Sequence, residues 1–242
     1  MGQADARVRR GTGTGLAALT PPVRDAATLI LIRRDGPAPR VLMGRRGARA
    51  AFMPDRFVFP GGAVDPDDAR MRAAPPDPET ARRLRIDADP GTARALPLAA
   101  IRELREETGL GLGHRDPDAP ARAAEAPGFW REFLGAGLAP RTDALRLIFR
   151  AVTPEGRPRR FDARFFTADA EGLAGDPDDF SRADAELSDL RWFGIAEARA
   201  LKLPFITGIV LAELAARLAA PDAPRGVPFF RHDAHGSHFR TL

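Results

Sequence analysis

The segment Arg102-Glu103-Leu104-Arg105-Glu106-Glu107-Thr108-Gly109-Leu110 constrains this chain more than any other stretch of it. Read as a helix, it puts Glu103, Glu106 and Glu107 at i, i+3 and i+4, three carboxylates within contact on one face. Ile101 and Leu104 then share the opposite, apolar side, and Gly109 stands where a left-handed cap ends a helix. Like charges at these spacings repel, so an isolated helix loses stability by them. A fold that keeps them together can solvate the face and balance it with Arg102 and Arg105. Alternatively, it can bring in a hard divalent cation whose oxygen ligands the carboxylates become.

A second segment bears on that choice. Phe57-Val58-Phe59-Pro60-Gly61-Gly62 is a short β-rich run broken by Pro and paired Gly. Such a break presents backbone carbonyls and amides at close range, where a metal or a phosphate can use them.

Together the two segments resemble the signature of the Nudix hydrolases, G-x5-E-x7-R-E-U-x-E-E-x-G-U with U aliphatic. Arg102, Glu103, Leu104, Glu106, Glu107, Gly109 and Leu110 match every specified position of its second half. The first half departs: Arg102 falls 40 positions after Gly62 where the signature expects 14, an insertion of 26 residues. Asp68 occupies the position of the signature's first Glu, so the acidic partner of Arg102 is Asp68 or, from inside the insert, Glu79. Phe52-Met53-Pro54, Asp65, Leu98-Ala99-Ala100-Ile101, Arg159–Phe166 and Leu203-Pro204-Phe205-Ile206-Thr207 are similar to a long-insert branch of the family. That branch includes organellar coenzyme A diphosphatases and their bacterial relatives. The similarity spans most of residues 25–220. Ala51 and Asp55 stand where coenzyme A-directed members carry Arg and Gly.

The resemblance implies an α/β/α sandwich with a mixed β-sheet and a helical insertion inside the signature. It implies hydrolysis of a diphosphate linkage in a nucleoside diphosphate derivative with Mg²⁺ or Mn²⁺. Coenzyme A or an acyl-coenzyme A is the substrate of that branch; ADP-ribose, a nucleotide sugar, a dinucleotide or a non-catalytic nucleotide-binding regulator are the alternatives. By the same resemblance, Glu103, Glu106 and Glu107, with a backbone carbonyl of Gly61 or Gly62, are the expected metal ligands, and Glu107 is the principal one. Glu103 is a further ligand or the base that orients the attacking water, and Arg102 completes the catalytic set. A further carboxylate from a distant loop is expected, with Glu186 the candidate and Glu155 and Glu171 competing. Arg45, Arg46, Arg49 and Arg164 are candidates for binding substrate phosphates, since a planar guanidinium matches phosphate geometry.

Composition restricts the alternatives. The 242 residues suffice for one substantial core, and 44% are hydrophobic, as in ordinary globular proteins. With no cysteine, disulfides, thiolate catalysis and Cys-based zinc sites are excluded. The formal net charge is only +4, Lys202 is the sole lysine, and no basic stripe with interleaved aromatics is visible, so nucleic acid is not an expected partner. No apolar run approaches the roughly 20 residues needed to cross a bilayer. The first 22 residues lack an apolar signal region. A cytoplasmic enzyme acting on a small diphosphate, as a monomer or a homodimer, is the expectation.

The organisation read from the pattern is a flexible tail over 1–22, a catalytic domain over 23–220 with residues 69–95 inserted, and a C-terminal tail over 221–242. Strands are expected at 27–32, 41–43, 57–59, 145–150, 161–166 and 187–193, where β-rich runs end in turn residues. Helices are expected at about 97–108, 129–134, 195–201 and 204–219, with residues 113–127 a loop. His232, His235 and His238 recur every third residue; three imidazoles can hold a transition metal, but a flexible tail is the reading preferred here. Trp130 and Trp192 are expected in the core.

Overall fold

The computed structural model of the chain describes residues 21–48, 53–233 and 236–242. Most of the N-terminal segment, Arg49, Ala51, Phe52 and His235 lie outside the described residues. The elements run β1 (Val23–Arg33), β2 (Arg40–Arg46), β3 (Phe57–Val58), β4 (Gly61–Ala63), α1 (Pro66–Arg70), α2 (Pro78–Leu84) and α3 (Pro90–Thr108). They continue β5 (Gly113–Arg115), α4 (Ala119–Ala123), α5 (Phe129–Gly135), β6 (Leu138–Pro140), β7 (Arg146–Val152), β8 (Arg160–Asp169) and β9 (Leu187–Gly194). The chain closes with α6 (Ile195–Ala200), α7 (Phe205–Ala219), β10 (Pro228–Asp233) and β11 (Gly236–Thr241).

Nine strands form one mixed sheet, with β11, β10, β7, β8, β1, β2 and β3 in order across it. The pairs β1–β8 and β10–β7 are parallel, and the other pairs of the sheet are antiparallel. β1 is buried on both sides, which accounts for its continuous apolar run. Leu29 and Leu31 face the core shared with α3 and α5, whereas Ile30 and Ile32 face the core shared with α7. Two apolar layers therefore sandwich the sheet, and the expected α/β/α architecture is present.

One edge of β1 is divided between two partners, and this division positions the site. Ile32 and Arg33 pair with β2, but Ala26, Ala27 and Thr28 pair with Ala63, Gly62 and Gly61 of β4. The Gly61-Gly62 turn is thus stitched into the sheet where β1 and β2 part. Gly61 has no room for a side chain: a Cβ there would lie 2.6 Å from the Ala27 carbonyl oxygen.

The insert is helical, as expected, but its boundaries differ. Asp65 caps α1, and Asp68 returns the bond by accepting from the Asp65 amide at 2.9 Å. Asp77 caps α2, whose Thr80 hydroxyl accepts from the Leu147 amide, and Arg150 donates to the Ile86 carbonyl at 2.7 Å. These bonds fasten the insert to β7. The helix carrying the three glutamates begins at Pro90, seven residues before its expected start at 97, because Asp89 caps it and Pro90 fits its first position. Pro97 lies inside this helix, buried, and gives up one backbone bond without ending it. Gly109 closes it in the left-handed conformation, φ 78°.

Two expectations are corrected. Residues 113–127 are not a plain loop but carry β5, paired with β6, and α4. Residues 221–242 are not a flexible tail. β10 extends the sheet beside β7, β11 pairs back on β10, and Val227 and Leu242 exchange backbone bonds. Val227 and Phe229 are buried there, so burial of apolar side chains holds the hairpin. The ordered domain thus continues past residue 220.

Candidate active site

Arg102 organises the helix face. Its guanidinium is almost entirely buried, and its Nε and Nη2 both donate to Asp68 at 3.0 Å. Nη2 also donates to the Ala63 carbonyl, while Nη1 donates to Glu103 at 2.9 Å and Glu106 at 2.7 Å. Burial opposes the charge, but Asp68, Glu103 and Glu106 outweigh it and hold the guanidinium ionised. Asp68 is fully buried and also accepts from the Trp130 indole N–H at 3.2 Å. Glu79 pairs instead with Arg82 and Arg83. The short helix α1 delivers Asp68 to the place a longer glutamate occupies in the signature.

Glu107 points inward. It is 2% exposed and accepts from the Gly61 amide at 2.8 Å. Burial raises its carboxyl well above the ordinary range, the nearby Glu103 and Glu186 raise it further, and the Gly61 amide and Arg46 pull it back. Burial also raises Glu103, to about 7, with Arg102 opposing and Glu106 and Glu186 assisting. A Cβ on Gly62 would strike the Glu103 carboxylate, so the glycine turn and this glutamate are in direct apposition. Glu106 is two-fifths exposed and turned toward Arg102.

With Glu107 behind them against the Gly61 amide, Glu103, Gly61 and Gly62 line a groove of about 840 Å³. Thr28 of β1 and Ala163 and Phe165 of β8 line its floor, and Phe205 with Ile206 of α7 forms one wall. Phe230 and His232 of the C-terminal hairpin line it too. Glu186 reaches the groove from the loop before β9 and is paired with Arg46 at 2.6 Å. The Nε of Arg46 is buried without a hydrogen-bond partner.

The structure therefore brings Glu103, Glu107, Gly62, Glu186 and Arg46 together, with Arg102 and Glu106 beside them. Glu155 lines the groove elsewhere, and Glu171 is absent from its lining. Two arginine candidates are placed elsewhere. Arg45 pairs with Asp189 at 2.8 Å and lies outside the groove lining. Arg164 is 1% exposed and bound to Asp25 and Asp162 on the other face of β8, because Phe161, Ala163 and Phe165 take the groove side. Trp130 is core, as expected, while Trp192 is half-buried under Arg33. The aromatic and histidine wall from β10 and α7 was not anticipated. Its sequence signal is the pair of β-rich runs around Gly236 within Pro228–Thr241.

The donors fit a hard divalent cation in kind: buried carboxylates set against a glycine turn, with Glu103 and Glu186 disfavouring the charge of Glu107, and Glu106 and Glu186 that of Glu103. As the side chains stand, no three His, Asp or Glu residues among the described ones enclose such an ion, since Glu106 is held by Arg102 and Glu186 by Arg46.

No protein-family model matches the chain. A Caenorhabditis elegans protein named "Putative nudix hydrolase 7" is 28% identical over 176 residues, 70% of this chain and 50% of that protein. The chain thus spans about half the length of that curated relative. The crystal structure of the Nudix hydrolase from Alicyclobacillus acidocaldarius is similar with a TM-score of 0.60 and 34% sequence identity. That likeness covers 81% of this chain and 92% of the other. Its extent, the sandwich of two apolar layers around a mixed sheet, and the glutamate helix set against a glycine turn agree: this chain belongs to the Nudix hydrolase family.

Proposed function

We propose that the chain is a metal-dependent hydrolase that cleaves the diphosphate linkage of a nucleoside diphosphate derivative in the cytoplasm. The observation that carries this reading is the pair Glu103 and Glu107, buried against Gly61 and Gly62 beside a groove, with Glu103 disfavouring the charge of Glu107. Burying two carboxylates without an ionic partner for Glu107 is costly, and a divalent cation offsets that cost. Glu107 and Glu103 would hold it, joined by Glu186, by Glu106 and by a carbonyl of the glycine turn such as that of Gly62. When bound, Mg²⁺ or Mn²⁺ supplies charge neutralisation at phosphate oxygens and acidifies nearby water.

The chain's own groups do the rest. Arg102 fixes the orientation of Glu103 and Glu106 through Nη1. Glu103, whose carboxylate abuts Gly62 and lines the groove, would be a further ligand or the base that orients the attacking water. The unpartnered Nε of Arg46 offers a buried donor to a diphosphate oxygen. Positioning and charge neutralisation are most of what phosphoryl transfer asks of a protein.

Within this class we favour coenzyme A or an acyl-coenzyme A, on the long-insert resemblance and on a groove that joins carboxylates and arginine to an apolar wall. A panel of coenzyme A, ADP-ribose, nucleotide sugars and dinucleotides, assayed with Mg²⁺, with Mn²⁺ and with chelator, tests it. The expected result is metal-dependent release of two phosphate-bearing products from coenzyme A. Hydrolysis of ADP-ribose with coenzyme A untouched would refute the substrate, and metal-stimulated cleavage of none of them would refute the reaction.

A further inference from the structure

Arg46 and Glu186 reach the groove from separately anchored backbones. Arg46 ends β2 and pairs with Leu187 of β9, so Glu186, one residue earlier, arrives beside it. The Arg46 amide donates to the Arg56 carbonyl at 2.9 Å, and the Arg46 carbonyl accepts from the Asp55 amide. The Glu186 amide donates to the Asp184 side chain at 2.8 Å, and the Asp184 amide donates to the Glu106 carbonyl of α3. Rearrangement at this junction is therefore a change of side-chain partners.

The pair leaves the guanidinium half used. Nη2 donates to Glu186 at 2.6 Å, while Nε, on the same edge, is buried without a partner among the described residues. One carboxylate oxygen thus occupies an edge that suits two acceptors. The Arg46 side chain is 17% exposed and that of Glu186 47%, so the arginine has less water to fall back on if the pair opens. Glu186 in turn acts on both Glu103 and Glu107, raising their carboxyls, while its own charge is taken up by Arg46.

We propose that Arg46 and Glu186 exchange partners on binding: a diphosphate takes both donors of the Arg46 edge, and Glu186 is released to the cation between Glu103 and Glu107. This rests on the reading of those two glutamates as a cation site. Neither ligand completes the exchange alone. A cation that takes Glu186 leaves the Arg46 guanidinium without an acceptor, and a diphosphate that takes Arg46 leaves Glu186 uncompensated beside two carboxylates. Each ligand therefore assists the other by the same factor. Arg46 is in this sense a positioning residue for the cation as well as a donor to the anion.

The test is calorimetry on the full-length chain with Mn²⁺ alone, and with methylenediphosphonate alone in metal-free buffer. Wild type is compared with Arg46→Met, Glu186→Gln and the double variant, with circular dichroism to check folding. Arg46→Met frees Glu186 from the start, so Mn²⁺ should bind about threefold tighter or more, the worth of one partly exposed ion pair. Glu186→Gln frees Arg46, and methylenediphosphonate should gain by a similar factor. Removing a positive charge also favours a nearby cation through the field alone. The Mn²⁺ gain must therefore shrink to within about 1.5-fold when Arg46→Met is made in the Glu186→Gln background. A gain that persists there, or no gain in either single variant, overturns the exchange. If Arg46→Met does not fold, Glu186→Gln decides: an unchanged affinity for methylenediphosphonate overturns the exchange. Mn²⁺ binding that Glu107→Gln weakens at least about tenfold, but Arg46→Met leaves unchanged, refutes the exchange and keeps the cation site. Wild-type protein that binds no Mn²⁺ refutes both.

Discussion

Burial acts on Glu103 and Glu107 in the same direction, and the consequence can be measured without any substrate. Because burial raises the Glu103 carboxyl to about 7, the folded protein keeps a proton that the unfolded chain has already released above its ordinary value near 4.5. Stability from this group is therefore fully present below the unfolded value and is lost as pH rises through the folded one. For the metal-free protein, the loss attributable to Glu103 is about 3 kcal/mol at most between roughly pH 5 and 8. Urea unfolding across that window should show stability falling with pH, and Glu103→Gln should flatten the slope; an identical slope in the variant refutes the assignment. Arg102 and Asp68 make the complementary case. Asp68→Ala leaves the buried Nε of Arg102 and the Trp130 N–H without their acceptor, while Glu103, Glu106 and the Ala63 carbonyl still hold the rest of the guanidinium, so a loss of about 2–4 kcal/mol in unfolding free energy is expected. A loss below about 1 kcal/mol, the range of an exposed pair, would mean that this network carries little of the fold.

At the scale of elements, α3 depends on how it ends. Gly109 adopts φ 78°, and a Cβ there would sit 3.0 Å from the backbone of Arg182. Gly109→Ala should thus cost about 1–2 kcal/mol in thermal or urea unfolding, and an unchanged midpoint would contradict the account of the cap. The same helix shows what was legible beforehand. Glu103, Glu106, Glu107 and Gly109 follow from spacings within one turn or two, so the sequence carries them directly. Its start did not, because Pro97 reads as a beginning and Asp89-Pro90 is a second equally good one. Strand faces were harder still. Arg164 was expected at a phosphate, but which side of β8 it takes depends on register with β1 and β7, and a shift of one residue reverses it. β10 is illegible in the local pattern for a related reason: its neighbour β7 lies far upstream, and short strands add little local signal.

For the molecule as a whole, the parting of β1 and β2 around β4 positions the candidate site. It seats Gly61 and Gly62 in the sheet, lets α3 lay its buried glutamates against them, and opens a groove walled by α7 and the C-terminal hairpin. The 26-residue insertion leaves this arrangement intact because it departs after β4 and returns through the pair of Arg102 and Asp68. No helix among the described residues is long and apolar enough to cross a membrane. The central claim is that this junction holds a divalent cation through Glu107 and hydrolyses a diphosphate. It is tested most directly by comparing wild type with Glu107→Gln for Mg²⁺-dependent turnover of the best substrate in the panel, with unfolding measured alongside. The account predicts a fall in turnover of about three orders of magnitude or more with the fold retained, since the residue serves the reaction and not the core. A folded Glu107→Gln protein that turns over at the wild-type rate would contradict it.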